Sequence, residues 1–267
     1  MPIIYQHNIN EHTRLAVWHI TEPESFFLQR VPLKNEVSHP HKRLQHLAGR
    51  WLLPTLFPGF PLDAIRVADT RRPFLENDPY HFSISHCADY AAAIVSTRQR
   101  VGVDIETVTP KIERVRHKFV ADGEWAFLNE SGVGSRESGV ASPKNFEADQ
   151  EPDAPDSRLP TQISRLPTRD SRLESPDSRL KSPDSRLLTL LWSAKEVIFK
   201  WWGNGQLDFK THMRLSGHPV MGADGWLELP FLFSRSGAVP LSVQGRFIGQ
   251  TALSWTATGP LIPHLVQ

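Results

Sequence analysis

Leu191-Trp192-Ser193-Ala194-Lys195-Glu196-Val197-Ile198-Phe199-Lys200-Trp201-Trp202-Gly203 places one carboxylate and two lysines in an otherwise apolar run. At about 3.6 residues per turn the run predicts a helix on which Trp192, Val197, Phe199 and Trp201 point to several sides, so protein must cover most of it. Glu196 and Lys200, four apart, share one stripe. Two readings of that stripe stand together. Ser193 to Glu196 has the form of a capping box and Glu196 with Lys200 that of a structural ion pair; alternatively, the stripe is one wall of a site. Gly203-Asn204-Gly205 is the stop signal.

A second acidic element lies upstream, Val101-Gly102-Val103-Asp104-Ile105-Glu106, and its alternation predicts a strand. Residues two apart on a strand point the same way, so Asp104 and Glu106 present two carboxylates together while Val103 and Ile105 face the core. Such a pair is either the solvated face of an edge strand or a site for a hard divalent cation such as Mg2+, which takes carboxylate, water and phosphate oxygens. Before it runs His81-Phe82-Ser83-Ile84-Ser85-His86, another alternating strand, ending in Ser-His.

Phe82 to His86, Gly102 to Glu106 and Trp192 to Lys200, in that order, resemble the motifs of the 4′-phosphopantetheinyl transferases of the large single-chain type. The resemblance spans roughly residues 15 to 130 and 186 to 257. It implies an α+β protein of two similar α/β halves related by a pseudo-twofold, about residues 1–100 and 101–257, with coenzyme A in the cleft between them. It implies transfer of the 4′-phosphopantetheine arm of coenzyme A to a serine of an apo acyl or peptidyl carrier protein, with Mg2+ held by Asp104, Glu106 and Glu196 and release of 3′,5′-ADP. These carriers serve fatty acid, polyketide and nonribosomal peptide synthesis. Glu196 would deprotonate the carrier serine, directly or through water, and Lys200 would neutralise or protonate the leaving phosphate. Coenzyme A contacts are implied for Arg43, Arg50, Arg72, Ser85, His86, Lys195 and Lys200, with Arg43 preferred over Arg50 for the 3′-phosphate. The alternatives are surface arginines at 43 and 50, a local hydrogen-bonding histidine at 86 and a solvated lysine at 195. The sequence departs from the family where Arg71 replaces a glycine before Arg72-Pro73, where Val197 replaces a smaller residue and where Gln206 intervenes before Leu207.

The chain of 267 residues is 39% hydrophobic with eight Trp and fourteen Phe, enough for one sizeable core or two small ones. A formal net charge of +1 provides no global field for nucleic acid or an anionic membrane, so any basic site is local. The single cysteine, Cys87, excludes an intrachain disulfide framework and a cysteine zinc site. His39, His41 and His46 lack the partner spacing of a zinc site. No stretch nears the roughly 18 apolar residues of a membrane span, and the start lacks the pattern of a signal peptide. The expectation is a cytoplasmic monomer.

Taken in order, Arg14 to Ile20 predicts a strand, Thr21 with Glu24 a capping box opening a short helix to Arg30, and Ser38 to Leu53 a helix with Pro40 in its first turn. Tyr90 to Val95 and Val101 to Glu106 predict two strands of one sheet, joined by a polar connection of hairpin length. Short helices over 110–120 and 122–130 follow. From Ser131 to Arg186 the composition changes, with Asp-Ser-Arg-Leu recurring at Asp156, Asp170, Asp177 and Asp184, which predicts a disordered insertion at 131–186. Strands at about 207–215, 226–229, 241–248 and 251–257 complete the expectation. Two other function classes fit the carboxylates and lysine: a Mg2+-dependent phosphohydrolase, and a non-catalytic binding protein in which the acidic residues are structural.

Overall fold

Thr13–His19 (β2) is buried along almost its whole length and organises the first sheet. Ile3–Asn10 (β1) lies antiparallel on one side of it and Tyr90–Ser96 (β6) on the other, and His81–Cys87 (β5) closes the order β1-β2-β6-β5. Alternation along these strands gives the sheet two apolar faces. Ala16, Trp18, Phe82, Ala91, Ala93 and Val95 pack under Pro40–Leu56 (α2), whose Leu47, Leu52, Leu53 and Leu56 are buried against them. Glu24–Leu28 (α1) adds Phe27 to this core. The opposite face, with Leu15, Val17, Ala92 and Ile94, shares a core with Val103, Ile105 and Leu253 of a second sheet.

That second sheet holds Arg100–Thr107 (β7), Thr251–Thr258 (β12), Val239–Ile248 (β11), Leu227–Phe233 (β10) and Met213–Leu215 (β8), in the order β7-β12-β11-β10-β8; Val220–Met221 also pairs with β10. Ser185–Trp202 (α5) packs across it through Leu190, Leu191, Ala194, Val197 and Trp201. Ile112–Val115 (α3) and Glu124–Glu130 (α4) flank α5. The chain is thus a mixed α+β protein with antiparallel sheets. Two short strands, Arg66–Val67 (β3) and Pro73–Phe74 (β4), pair with each other in a separate two-stranded sheet.

The computed structural model describes residues 3–32, 37–130 and 185–259, all within one compact unit. The disorder expected at 131–186 falls outside the described residues, except for Ser185 and Arg186, which begin α5. Among the described residues no helix is long and apolar enough to cross a membrane.

Three local expectations are corrected. β6 and β7 do not form a hairpin: β6 stays in the first sheet and β7 pairs with β12 in the second. The Thr21–Glu24 capping box does not form, because α1 starts at Glu24 after Pro23, whose side chain offers no acceptor. Ser193 to Glu196 is no cap either, since α5 begins at Ser185 and its Ser193 is interior.

Candidate functional site

β5 is an edge of the first sheet and β7 an edge of the second, and the two edges adjoin, with Ser83 Oγ accepting from the Val103 amide at 3.2 Å. α5 approaches β7 very closely. A Cβ on Gly102 would lie 2.4 Å from the Val197 carbonyl oxygen, so only glycine admits the helix backbone here. That approach brings three motifs together. Lys200 Nζ donates to Asp104 Oδ1 at 2.6 Å and to Ser85 Oγ at 2.8 Å, and Ser85 Oγ in turn donates to Asp104 Oδ1 at 2.8 Å. Asp104 is 2% exposed, so this ammonium compensates a carboxylate almost removed from water. Among the described residues Asp104 Oδ2 is buried with no hydrogen-bond partner.

Glu106 and Glu196 border the same carboxylate. Burial, and then Asp104 beside each, pushes both carboxyls up to about 7, with Lys200 pulling the other way. The Trp192 indole donates to Glu106 Oε1 at 3.4 Å and also lowers that carboxyl's proton affinity. Among the described residues no three His, Cys, Asp or Glu side chains are gathered into a metal-binding group. The donor set is nevertheless all oxygen and short of positive charge, and the partnerless Asp104 Oδ2 is a free lone-pair site, a combination that fits a hard cation.

Two cavities open beside this node. One, of about 230 Å3, is bounded by Glu196, Phe199, Lys200, Arg72 and Ser83. The other, of about 650 Å3, has an apolar wall of Leu62, Ile65, Val67 and Ile84 and a polar side of Arg50, His46 and His86. They share Arg71, Pro73 and Ile84. The His46 and His86 rings lie 5.1 Å apart, edge to face. Burial, then His46 and Lys200, lowers His86 to about 4, and burial, then Arg50, also lowers His46, so both imidazoles are neutral donors or acceptors near neutral pH.

The other expected residues are placed as follows. Arg50 lines the larger cavity, whereas Arg43, preferred in the sequence, holds Glu24 at 2.8 Å and the Val37 carbonyl at 3.1 Å. Arg72 borders the smaller cavity but packs on Gly203, where a Cβ would lie 2.5 Å from Arg72 Cδ; Gly203 has φ +71 and so is glycine for two reasons. Lys195 is corrected. It is 0% exposed, and its Nζ donates to Glu124 Oε2 at 2.8 Å and to the Phe119 and Phe209 carbonyls at 2.6 and 2.9 Å, leaving nothing for a phosphate. Arg100, absent from the sequence expectations, donates to the Trp201 and Trp202 carbonyls and caps α5; burial, then Arg72, lowers it to about 10. The sequence pattern offers His46 only as a zinc-ligand candidate. Its four-residue spacing from Arg50 on one helix was the signal that places both on one wall.

No protein-family model matches the chain. It is similar to enterobactin synthase component D of Salmonella austin, with 40% identity over 67 residues, which is 25% of this chain and 28% of that protein. The match therefore spans well under a third of the relative's length, and the similarity is one of a segment.

Proposed function

We propose that the protein transfers the 4′-phosphopantetheine arm of coenzyme A to a serine of an apo acyl or peptidyl carrier protein. The observation that carries this is the convergence of Ser85, Asp104 and Lys200 within 2.8 Å contacts at a cleft, because these residues come from the three motifs that resemble phosphopantetheinyl transferases. The segment similar to a component of enterobactin synthase supports the same reading. Asp104, Glu106 and Glu196 would hold Mg2+, which when bound spreads the negative charge developing on the diphosphate.

In the reaction the carrier serine Oγ attacks the phosphorus that bears pantetheine, and the bond from that phosphorus to the 3′,5′-ADP oxygen breaks. Glu196 accepts the serine proton, directly or through water. Lys200 neutralises the leaving phosphate. Arg50 and the neutral imidazoles of His46 and His86 bind the nucleotide end in the larger cavity. Two similar halves at about 1–100 and 101–257, a pseudo-twofold between them and a monomeric cytoplasmic enzyme belong to the same proposal.

The test is the intact mass of purified apo acyl and peptidyl carrier proteins after incubation with this protein, coenzyme A and Mg2+. A gain of one phosphopantetheine arm, lost with EDTA or with Glu196→Ala, is expected. No gain across a broad carrier panel, from protein shown to be folded, would sink the reading and favour a phosphohydrolase.

A further inference from the structure

Arg71 has φ +64, in the left-handed region that favours glycine. It sits in the turn between β3 and β4, where Arg71 N donates to the Ala68 carbonyl at 2.8 Å and Ala68 N to the Arg72 carbonyl at 2.9 Å. A glycine would relax this backbone, yet an arginine occupies it. Strain kept where a simpler residue would remove it points to a use for the side chain.

The surroundings indicate that use. Arg71 lines both cavities and stands where they join. Of the other arginines, Arg100 caps α5 and Arg43 holds Glu24, Arg50 borders only the larger cavity, and Arg72 borders only the smaller one, packed on Gly203. Arg71 is exposed, and among the described residues its guanidinium has no hydrogen-bond or ion-pair partner. One cavity presents Arg50 and two imidazoles, and the other Lys200, so a ligand filling both is anionic at each end and passes this guanidinium. Five N–H donors in a planar fork suit phosphate oxygens.

We infer that Arg71 is a ligand-binding residue that grips a phosphate of the nucleotide substrate where the two cavities meet, and that its strained backbone is retained for that contact. This rests on the transfer reading above. It adds Arg71 to Arg72, for which the sequence suggested a phosphate contact.

The experiment measures two quantities on wild type, Arg71→Gly and Arg71→Lys: the thermal midpoint without ligand, and the dissociation constant of coenzyme A by calorimetry at two salt concentrations. Arg71→Gly is expected to raise the midpoint by about 2–4 °C, as relief of strain in a chain of this size should. The same variant should bind coenzyme A at least about tenfold more weakly and with a shallower salt dependence, while Arg71→Lys keeps part of the affinity. A merely structural arginine cannot produce a gain in stability together with a loss of binding. Unchanged affinity in Arg71→Gly, with wild type binding normally, overturns the inference and leaves the transfer reading intact. A lowered midpoint in Arg71→Gly overturns it as well, since the arginine would then be holding the turn. Wild type that fails to bind coenzyme A overturns both.

Discussion

Lys195 and Lys200 lie five residues apart on α5 and serve different ends. Lys195 and Glu124 form an ion pair with side chains 0% and 2% exposed, and Glu124 also accepts from the Ala121 and Leu215 amides at 2.6 and 2.7 Å. Both Glu124 oxygens and all three ammonium protons are engaged, so the pair ties α5 to α4 and β8. Lys195→Met strands the Glu124 charge in the core and should cost about 3–5 kcal/mol in urea unfolding, with no change in KM for coenzyme A in the fraction that remains folded. His86 is one contributor to the pH dependence of this region, beside His46, Glu106 and Glu196. Its folded pKa of about 4 lies below the ordinary 6.5, so the unfolded chain takes the proton first as pH falls. Its contribution is therefore fully present above about pH 6.5 and is lost toward pH 4; with the half-buried ring partly screened by solvent, it is worth about 1–2 kcal/mol. Urea unfolding near pH 7 and pH 5 should show a fall in wild type that His86→Gln lacks by that amount, and equal falls in both would contradict it. Spacing made the Asp104–Glu106 and Glu196–Lys200 stripes legible, but not that Lys200 pairs with Asp104 across the sheet edge. Lys195 was not legible, because a lysine flanked by apolar residues reads the same whether its end meets a ligand or a buried glutamate.

The elements were readable where their pattern is local and unreadable where the choice is tertiary. β7 shows its alternation in the sequence, and the polar and apolar steps survive in the fold except that Asp104 is buried too. β1 puts Ile3, Tyr5 and Ile9 on its inner face, but Ile4 on the outer face and His7 on the inner one interrupt the hydropathy period. The start of α5 was hidden because the last Asp-Ser-Arg-Leu copy runs from Asp184 into the helix at Ser185. The polar stretch between β6 and β7 suits a hairpin or a change of sheet equally, and partner strands far along the chain decide between them. The contact between α5 and β7 gives the element-scale prediction. Gly102→Ala places a methyl 2.4 Å from the Val197 carbonyl, a backbone atom that cannot swing aside, so the helix must withdraw. Withdrawal lengthens the Lys200–Asp104 contact of 2.6 Å, and transfer should fall about tenfold to a hundredfold, since small misplacements of reacting groups are costly. A variant that keeps wild-type turnover would show that the contact is dispensable.

In the whole molecule, α4 ends at Glu130 and α5 begins at Ser185, and the Lys195–Glu124 pair binds these two helices on the near side of the intervening segment. Ser185 Oγ also donates to Glu113 Oε1 at 2.6 Å. Because this tie lies within the described fold, replacing Ser135 to Pro183 by a short Gly-Ser linker should raise stability by no more than about 1.5 kcal/mol, as closure entropy varies slowly with length. Thermal unfolding and carrier modification of the shortened chain check this; a folded product unable to modify its carrier would give the segment a docking role. The division of β6 and β7 between two sheets has a further consequence, in time rather than in space. Ser85 and Lys200 meet across 115 positions of chain, one delivered by the first sheet and the other by the helix on the second. Neither sheet can assemble the cleft alone, so the phosphate grip should emerge in the final kinetic phase of refolding, after each sheet has acquired its own amide protection against hydrogen exchange.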